Sequence, residues 1–317
     1  MPRTVIVGSR GSHLAKAMTR ELLEPLERAW PDVVFRHRVA MTSGDRDRKS
    51  ELRSLSDGGQ GAFTTQLESA LLAGEIDVAV HSLKDLPTAS APELTLAAVP
   101  PRADARDALC GSSLRDLQSG ARVGTGSPRR TAQLLALRPD VRVTPIRGNV
   151  PPRLQKLRGS SPLDAVVLAV AGLVRLGLDG EIGERLSAEE YPPSPGQGAL
   201  GVQVRADDLE VQEMLSAVHD PAAAAAVEAE RSLLAELRGG CSVPIGAYAS
   251  VDGTQLRLVG QVTALDGTWF VRLETTGHPD TAGDIGRQLA HDLVAKGADN
   301  ILADVREAGG PQPSIGG

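Results

Sequence analysis

The chain has 317 residues, of which 41% are hydrophobic and 23% charged, with a formal net charge of −6. That composition fits a soluble globular protein of two or three domains. The acidic balance and an aromatic content of 2% argue against a nucleic-acid partner, which would need a basic surface or stacking platforms.

No apolar run approaches a membrane span or a signal peptide. Two cysteines, Cys110 and Cys241, make no disulfide framework, and a reducing cytoplasm is expected. The scattered histidines offer no metal-ligand spacing, so no metal is expected.

Thr4–Gly8 reads as a short buried strand. Ser12 is a candidate N-cap for a helix reaching Trp30. Arg10 falls at that strand-to-helix junction, where backbone N–H groups and the helix dipole favour an anion. Val33–Met41 reads as the second strand and leads into Thr42-Ser43-Gly44-Asp45. The loop Gly58-Gly59-Gln60-Gly61 suits a ligand better than packing. Phe63, a helix Thr64–Ala73 and a strand Ile76–Val80 follow. That strand runs into His81-Ser82-Leu83-Lys84-Asp85-Leu86-Pro87. Ligands of open α/β sheets bind beyond the carboxyl ends of strands, which makes Ser82, Lys84 and Asp85 site candidates. Lys84 and Asp85 could equally form a surface pair, and His81 a structural contact.

Leu94–Val99 reads as a strand and Pro100-Pro101-Arg102 as a linker. A second set of α/β units begins with the strand Ala121–Thr125. Gly126-Ser127-Pro128-Arg129-Arg130 then opens a helix to Leu137, with Ser127 as N-cap and Pro128 in its first turn. Exposed amides, a hydroxyl and two arginines converge there, a pattern suited to a carboxylate or phosphate. The strand Val141–Ile146 ends in Arg147-Gly148-Asn149, and Arg153 lies in the next helix. Leu163–Ala169 is a buried strand, followed by Ala171-Gly172-Leu173-Val174-Arg175. From Arg122 to Arg158 there are nine basic residues against one acidic residue, Asp140. A small or medium polyanion is the expected ligand.

Tyr191–Pro195 reads as a second linker, before Gly196-Gln197-Gly198 and the strand Gly201–Arg205. Two lobes joined by two crossings imply a cleft that can close about a hinge. Helices Asp207–Val218 and Pro221–Leu237 follow. Gly239 and Gly240 stop the second of these and place Cys241 on a tight loop. Such a cysteine is either buried and inert or, beside residues of so little bulk, able to carry a large attached group. Strands Ala247–Val251, Gln255–Val262 and Thr268–Thr276, a helix Ala282–Lys296 and a disordered tail from residue 309 complete the chain.

Eight stretches, in order, resemble the porphobilinogen deaminase family. They are Arg10-Gly-Ser12-His-Leu-Ala, Thr42-Ser-Gly-Asp45, His81-Ser-Leu-Lys-Asp-Leu-Pro87, Gly124-Thr-Gly-Ser-Pro-Arg-Arg130, Arg147-Gly-Asn-Val150 with Arg153, Ala169-Val-Ala-Gly-Leu173, Pro195-Gly-Gln-Gly-Ala199 and Gly239-Gly-Cys-Ser-Val-Pro-Ile-Gly246. The resemblance implies an α/β protein of three domains. Two are lobes like those of type II periplasmic binding proteins, at 1–99 with 197–218 and at 100–196. The third, a small α+β domain at 219–308, carries the cofactor cysteine. It also implies an enzyme that deaminates four porphobilinogen molecules and condenses them head to tail into hydroxymethylbilane. The chain would grow on a dipyrromethane cofactor joined by a thioether to Cys241.

By motif position, Asp85 would be the catalytic carboxylate. Asp45, Ser82, Lys84, Asp85, Thr125, Ser127, Arg129, Arg130 and Gly148 would hold the cofactor. Arg10, Ser12, Phe63, Arg147, Arg153, Arg175 and Gln197 would face the substrate and the growing chain. A monomer is implied, without nucleic-acid or membrane partners.

The sequence departs from the family pattern at Gln60, where lysine is frequent in the lid loop, at Ala62, and at Met18, where glutamine is common. Two other readings compete: a two-lobed anion-binding protein without chemistry, and a catalytically silent relative. Covalently bound pyrroles distinguish the enzyme from the first, and turnover distinguishes it from the second.

Overall fold

A computed structural model describes residues 3–39, 61–89, 91–239 and 243–308, the side chains of 61–63 and 308 excepted. Asp45 with its motif, Gln60, Cys241 and the tail from 309 lie outside the described residues, as do the side chains of Ala62 and Phe63.

The first lobe starts with β1 (Arg3–Ser9), α1 (His13–Ala29), β2 (Val33–Val39), α2 (Gly61–Leu72), β3 (Val78–Ser82) and β4 (Leu94–Ala98). The second holds β5 (Asp107–Cys110), β6 (Arg122–Gly124), α3 (Pro128–Leu137), β7 (Arg142–Thr144), α4 (Val150–Leu154), β8 (Ala165–Ala169), α5 (Val170–Arg175) and β9 (Ile182–Arg185). The chain then returns through β10 (Leu200–Arg205) and α6 (Leu209–Ser216). α7 (Pro221–Glu236) leads into β11 (Ile245–Asp252), β12 (Gln255–Thr263), β13 (Phe270–Gly277), α8 (Ala282–Leu293) and α9 (Asp299–Ala308).

The two lobes share one plan. The first sheet has the order β2-β1-β3-β10-β4 and the second β7-β6-β8-β5-β9. In each, the first three strands are parallel, as their helical crossovers require. In each, the fourth place is taken antiparallel by the strand that has just crossed between lobes, β10 in one and β5 in the other. The two crossings therefore end inside the sheets they join. The apolar strands β3 and β8 are buried on both faces, as central strands of covered sheets are.

Local chemistry sets the helix starts. The Ser12 hydroxyl accepts from the Ala15 amide at 3.1 Å and caps α1. Ser127 caps α3 with Pro128 in the first turn. Asp208 and Asp220 cap α6 and α7. The small side chains of α7 let it pack on two sides. Ala223 and Val227 meet Leu83, Leu86 and Val99 of the first lobe. Ala226, Ala229 and Leu233 join the core under the antiparallel sheet β11-β12-β13.

Three expectations change. β5 and β9 were not apparent in the sequence, because each is only four residues long and carries charged residues within it. The helix read as Ala282–Lys296 ends its regular turns at Leu293. Gly297, at φ 98°, breaks it, and α9 follows where no further helix was anticipated.

Candidate active site

β3 delivers its last residues to the cleft. Ser82 closes the strand, and Leu83–Asp85 forms one 3-10 turn. Leu83 is fully buried and anchors that turn, so Lys84 and Asp85 are held rather than trailing. The returning crossing lies against it. Gly196 (φ 75°) would place a Cβ 3.2 Å from the Lys84 amide nitrogen, and Gly198 (φ 88°) one 2.5 Å from the Ala103 carbonyl. Only glycine fits there without moving backbone. Between them Gln197 enters the interior.

Gln197 is 1% exposed and joins the lobes. Its Nε2 donates to the Ala105 carbonyl and to Asp107 Oδ1, each at 2.8 Å. Its Oε1 accepts from Lys84 Nζ at 3.1 Å and from Arg130 Nη2 at 3.4 Å. Asp107, the first residue of β5, is wholly buried. It accepts from Arg129 Nη2 at 2.7 Å and from Arg130 Nε and Nη2 at 3.1 and 2.6 Å. Burial alone would raise the Asp107 carboxyl. The two guanidiniums, with the hydrogen bonds from Arg130 and Gln197, outweigh it and hold the carboxyl well below the usual range. Lys84 shows the opposite balance. Burial, with Arg130 beside it, lowers its ammonium to about 8 against the pull of Asp85 and Asp107.

Arg129 also donates to the Gln133 side chain and the Pro192 carbonyl, both at 2.9 Å, and lies 5.7 Å from the Tyr191 ring centroid. Tyr191 donates to the Arg130 carbonyl at 2.7 Å. Thr125 is buried, and its hydroxyl accepts from the Ser127 amide at 3.2 Å, fixing the entrance to α3.

The remaining candidates line the cleft more openly. Arg147 is exposed. Gly148 (φ 105°) turns the chain, and its carbonyl accepts from Arg153 Nε at 2.7 Å. Partial burial, and after it the charge of Arg130, lower the Arg153 guanidinium from its usual value. Arg10 stands close enough to His81 for its charge to count there. Burial first, with Arg10 adding to it, brings His81 down to about 4 against a hydrogen bond to Gln203. His81 is thus a neutral structural contact. Arg175 is taken up across the cleft by Glu21 of α1, at 2.7 and 3.1 Å, and by the Gly198 carbonyl at 3.1 Å. Asp85 accepts from the Thr64 hydroxyl through its backbone carbonyl at 3.4 Å. Its carboxylate has no hydrogen-bond or ion-pair partner among the described residues.

Two further residues hold this arrangement and had no clear sequence signal. Arg102, in the first crossing, pairs bidentately with the buried Glu230 of α7 at 2.7 and 3.0 Å. Glu230 also accepts from the Gly196 and Ala249 amides, both at 2.7 Å. One carboxylate so ties both crossings to the third domain. The loop holding Cys241 runs from the end of α7 to β11, whose Ala247 amide donates to the Pro193 carbonyl of the second crossing at 2.9 Å. The start of β11 and the second crossing are therefore backbone neighbours.

The described residues fit a polycarboxylate bound in this cleft. Lys84, Arg129 and Arg130 surround one carboxylate, Asp107, and Arg153 adds charge that no acid answers among them. Arg129 Nε is a buried donor without a hydrogen-bond acceptor there, a condition a bound anion relieves.

Comparison with known proteins agrees. Residues 5–213 match the family model "Porphobilinogen deaminase, dipyromethane cofactor binding domain". Residues 224–295 match "Porphobilinogen deaminase, C-terminal domain". Porphobilinogen deaminase of Deinococcus deserti is 44% identical over 96% of this chain and 100% of its own. That of Thermus thermophilus is 46% identical over the same shares. Among solved structures, a periplasmic substrate-binding protein of an ABC transporter from Coxiella burnetii aligns at 13% identity, covering 68% of this chain and 92% of its own, with a TM-score of 0.41. With both family models matched in order and relatives aligned end to end, the chain belongs to the porphobilinogen deaminase family.

Proposed function

We propose that the cleft floored by Asp107 and Gln197 is where this chain carries out the family's reaction, with Asp85 as catalytic carboxylate and Cys241 as the attachment point of the cofactor. The activity is a transferase's. Four porphobilinogen molecules lose ammonia and are joined head to tail into hydroxymethylbilane, in the formation of tetrapyrroles. The dipyrromethane cofactor, when bound, supplies the free pyrrole carbon on which the chain is begun. In our reading the protein works as a monomer in the cytoplasm, on porphobilinogen alone, without nucleic acid, membrane or metal.

This chain's own residues supply binding, charge and proton movement. Each pyrrole ring brings an acetate and a propionate, so every addition adds two negative charges. Lys84, Arg129 and Arg130, with Thr125, Ser127, Ser82 and Gly148 beside them, hold the cofactor's carboxylates. Asp45 stands with that group by motif. Arg10, Ser12, Arg147, Arg153 and Arg175 take those of the incoming ring, with Phe63 and Gln197 completing the substrate side by motif. Charge-assisted hydrogen bonds of this kind contribute about 1.5–3 kcal/mol each.

As the carbon–nitrogen bond of the aminomethyl group breaks, the electron pair leaves with ammonia and the ring carries a positive charge. Asp85 stabilises that cation through the ring N–H. After the new carbon–carbon bond forms, the same carboxylate helps remove the proton from the joined carbon. Proton transfer of this kind typically contributes about 10²–10⁴-fold, and stabilisation of the cation adds to it.

The observation carrying this reading is the Asp85 carboxylate. That carboxylate has no hydrogen-bond or ion-pair partner among the described residues, yet it is held on a turn anchored by the buried Leu83, beside a cationic floor. The test is intact mass under denaturing conditions with a turnover assay. Wild type should carry the mass of two condensed pyrrole units, and Cys241→Ser should not. Asp85→Ala should keep its fold and lose nearly all turnover. Full activity in Asp85→Ala would remove it from the mechanism. An unmodified wild type that gains no mass on adding porphobilinogen would sink the whole reading.

A further inference from the structure

Arg175 is the last residue of α5, the helix of the second lobe that packs near α1. Gly172, in the same helix, faces Leu14 of α1 across van der Waals distance. The guanidinium is in a two-point pairing. Nε and Nη2, the edge that recognises carboxylates, grip both oxygens of Glu21 at 2.7 and 3.1 Å. Nη2 also holds the Gly198 carbonyl, next to Gln197 in the returning crossing. The pair therefore spans both lobes and the hinge.

Its two halves differ in exposure. The Arg175 side chain is 9% exposed and that of Glu21 41%. The arginine is built in, while the glutamate reaches it from water. Four residues beyond Glu21, Pro25 stands inside α1. It has no N–H for the Glu21 carbonyl, so the helix is loosened next to the acid. An ion pair with one partner in solvent opens readily.

Resting on the reading above, we infer that Glu21 is a placeholder for a substrate carboxylate: it holds Arg175 in carboxylate-binding geometry between additions and gives it up when a ring's acetate or propionate arrives. Glu21 is a positioning and affinity-setting residue and takes no part in the chemistry. Exchange of one carboxylate for another keeps the Arg175 fork satisfied throughout. It also links occupancy to the lobes, because the contact exchanged is one that ties α1 to α5.

The experiment compares wild type, Glu21→Gln, Arg175→Gln and the double variant, as cofactor-loaded full-length protein with porphobilinogen at low salt. Glu21→Gln keeps the shape and removes the competing charge. Its KM should fall about two- to fivefold, the range an exposed ion pair allows, with kcat within about twofold. Arg175→Gln should raise KM, and adding Glu21→Gln to it should change nothing. Hydrogen exchange gives a readout independent of activity: amides of 170–176 and 196–199 should exchange faster in Glu21→Gln without substrate. An unchanged or higher KM in Glu21→Gln, the same fall in the Arg175→Gln background, or unaltered exchange would overturn the inference. Wild type failing to consume porphobilinogen would instead overturn the functional reading on which it rests.

Discussion

Two pairs of arginines in one basic segment serve differently. Arg129 and Arg130 open α3 and are closed in, their guanidiniums bonded to Asp107, Gln133, Gln197 and the carbonyls of Pro192 and Val167. Arg147 and Arg153 flank the start of α4 with a single backbone acceptor, the Gly148 carbonyl. The first pair is neutralised in part and cannot move. The second is exposed or half-exposed and has no acid beside it among the described residues. A count along the chain treats all four as equal field. In the fold, the buried pair fixes the geometry of the cleft floor; in the proposed reading, the open pair supplies charge for capture. The rest of the segment is also diluted: Arg138 pairs with Asp140, and Arg158 with Glu181.

The sharpest way to break this comparison is Asp107→Asn. It leaves two buried guanidiniums around a neutral group, and losing one partner of a buried ion pair costs about 3–5 kcal/mol. Urea unfolding should show a loss of that size in the cofactor-free protein. The pH dependence carries the sign. The Asp107 pKa is lowered on folding, so its contribution is full above the unfolded value of 3.8 and is lost as pH falls below it. The variant should lack that acid loss. A variant as stable as wild type, with the same acid profile, would mean that the buried pair is not organised by Asp107.

Arg153→Gln should do the reverse, leaving stability within about 0.5 kcal/mol because only a backbone contact and a repulsion with Arg130 are lost. Binding should suffer, with KM for porphobilinogen rising about tenfold or more for one charge-assisted bond. Steady-state kinetics beside an unfolding curve separate the two effects. A large loss of stability with unchanged KM would reverse the assignment.

Much of the frame was legible in the sequence. Strand runs such as Val78–Val80, the Ser127-Pro128 helix start and the glycines around Gln197 carry local signals that the fold keeps. The site was legible as a set of residues facing anions, through the positions of Lys84, Asp85 and Arg129–Arg130 after strands. Their partners were not. Asp107 is paired with residues 22 and 23 positions away, and Gln197 with one 113 positions away. No local pattern marks an aspartate as the counterion of two distant arginines. Glu230 looks like a surface acid of an alanine-rich helix, yet it is wholly buried under Arg102. Arg175, expected to face the substrate, is held by Glu21, 154 residues earlier. Charge pairing is decided by tertiary approach.

A third test falls where the two regions meet, at Lys84. Burial and the charge of Arg130, helped by Arg129, lower its ammonium from 10.5 to about 8, while Asp85 and Asp107 oppose the shift. Between those two values the unfolded chain holds the proton that the folded chain has released. Stability due to this group therefore rises with pH from about 8 to 10.5. Other groups titrate in the same range, so the useful quantity is the difference between wild type and Lys84→Met. In the cofactor-free protein, urea midpoints should favour the methionine variant most near pH 8 and below, with the advantage shrinking toward pH 10.5. Bound carboxylates favour the charged ammonium, so in the cofactor-loaded protein the difference should flatten. A pH-independent difference in both forms would show that Lys84 keeps its ordinary pKa. The buried arginines would then act on geometry alone, without reaching across the lobes to tune the lysine beside Asp85.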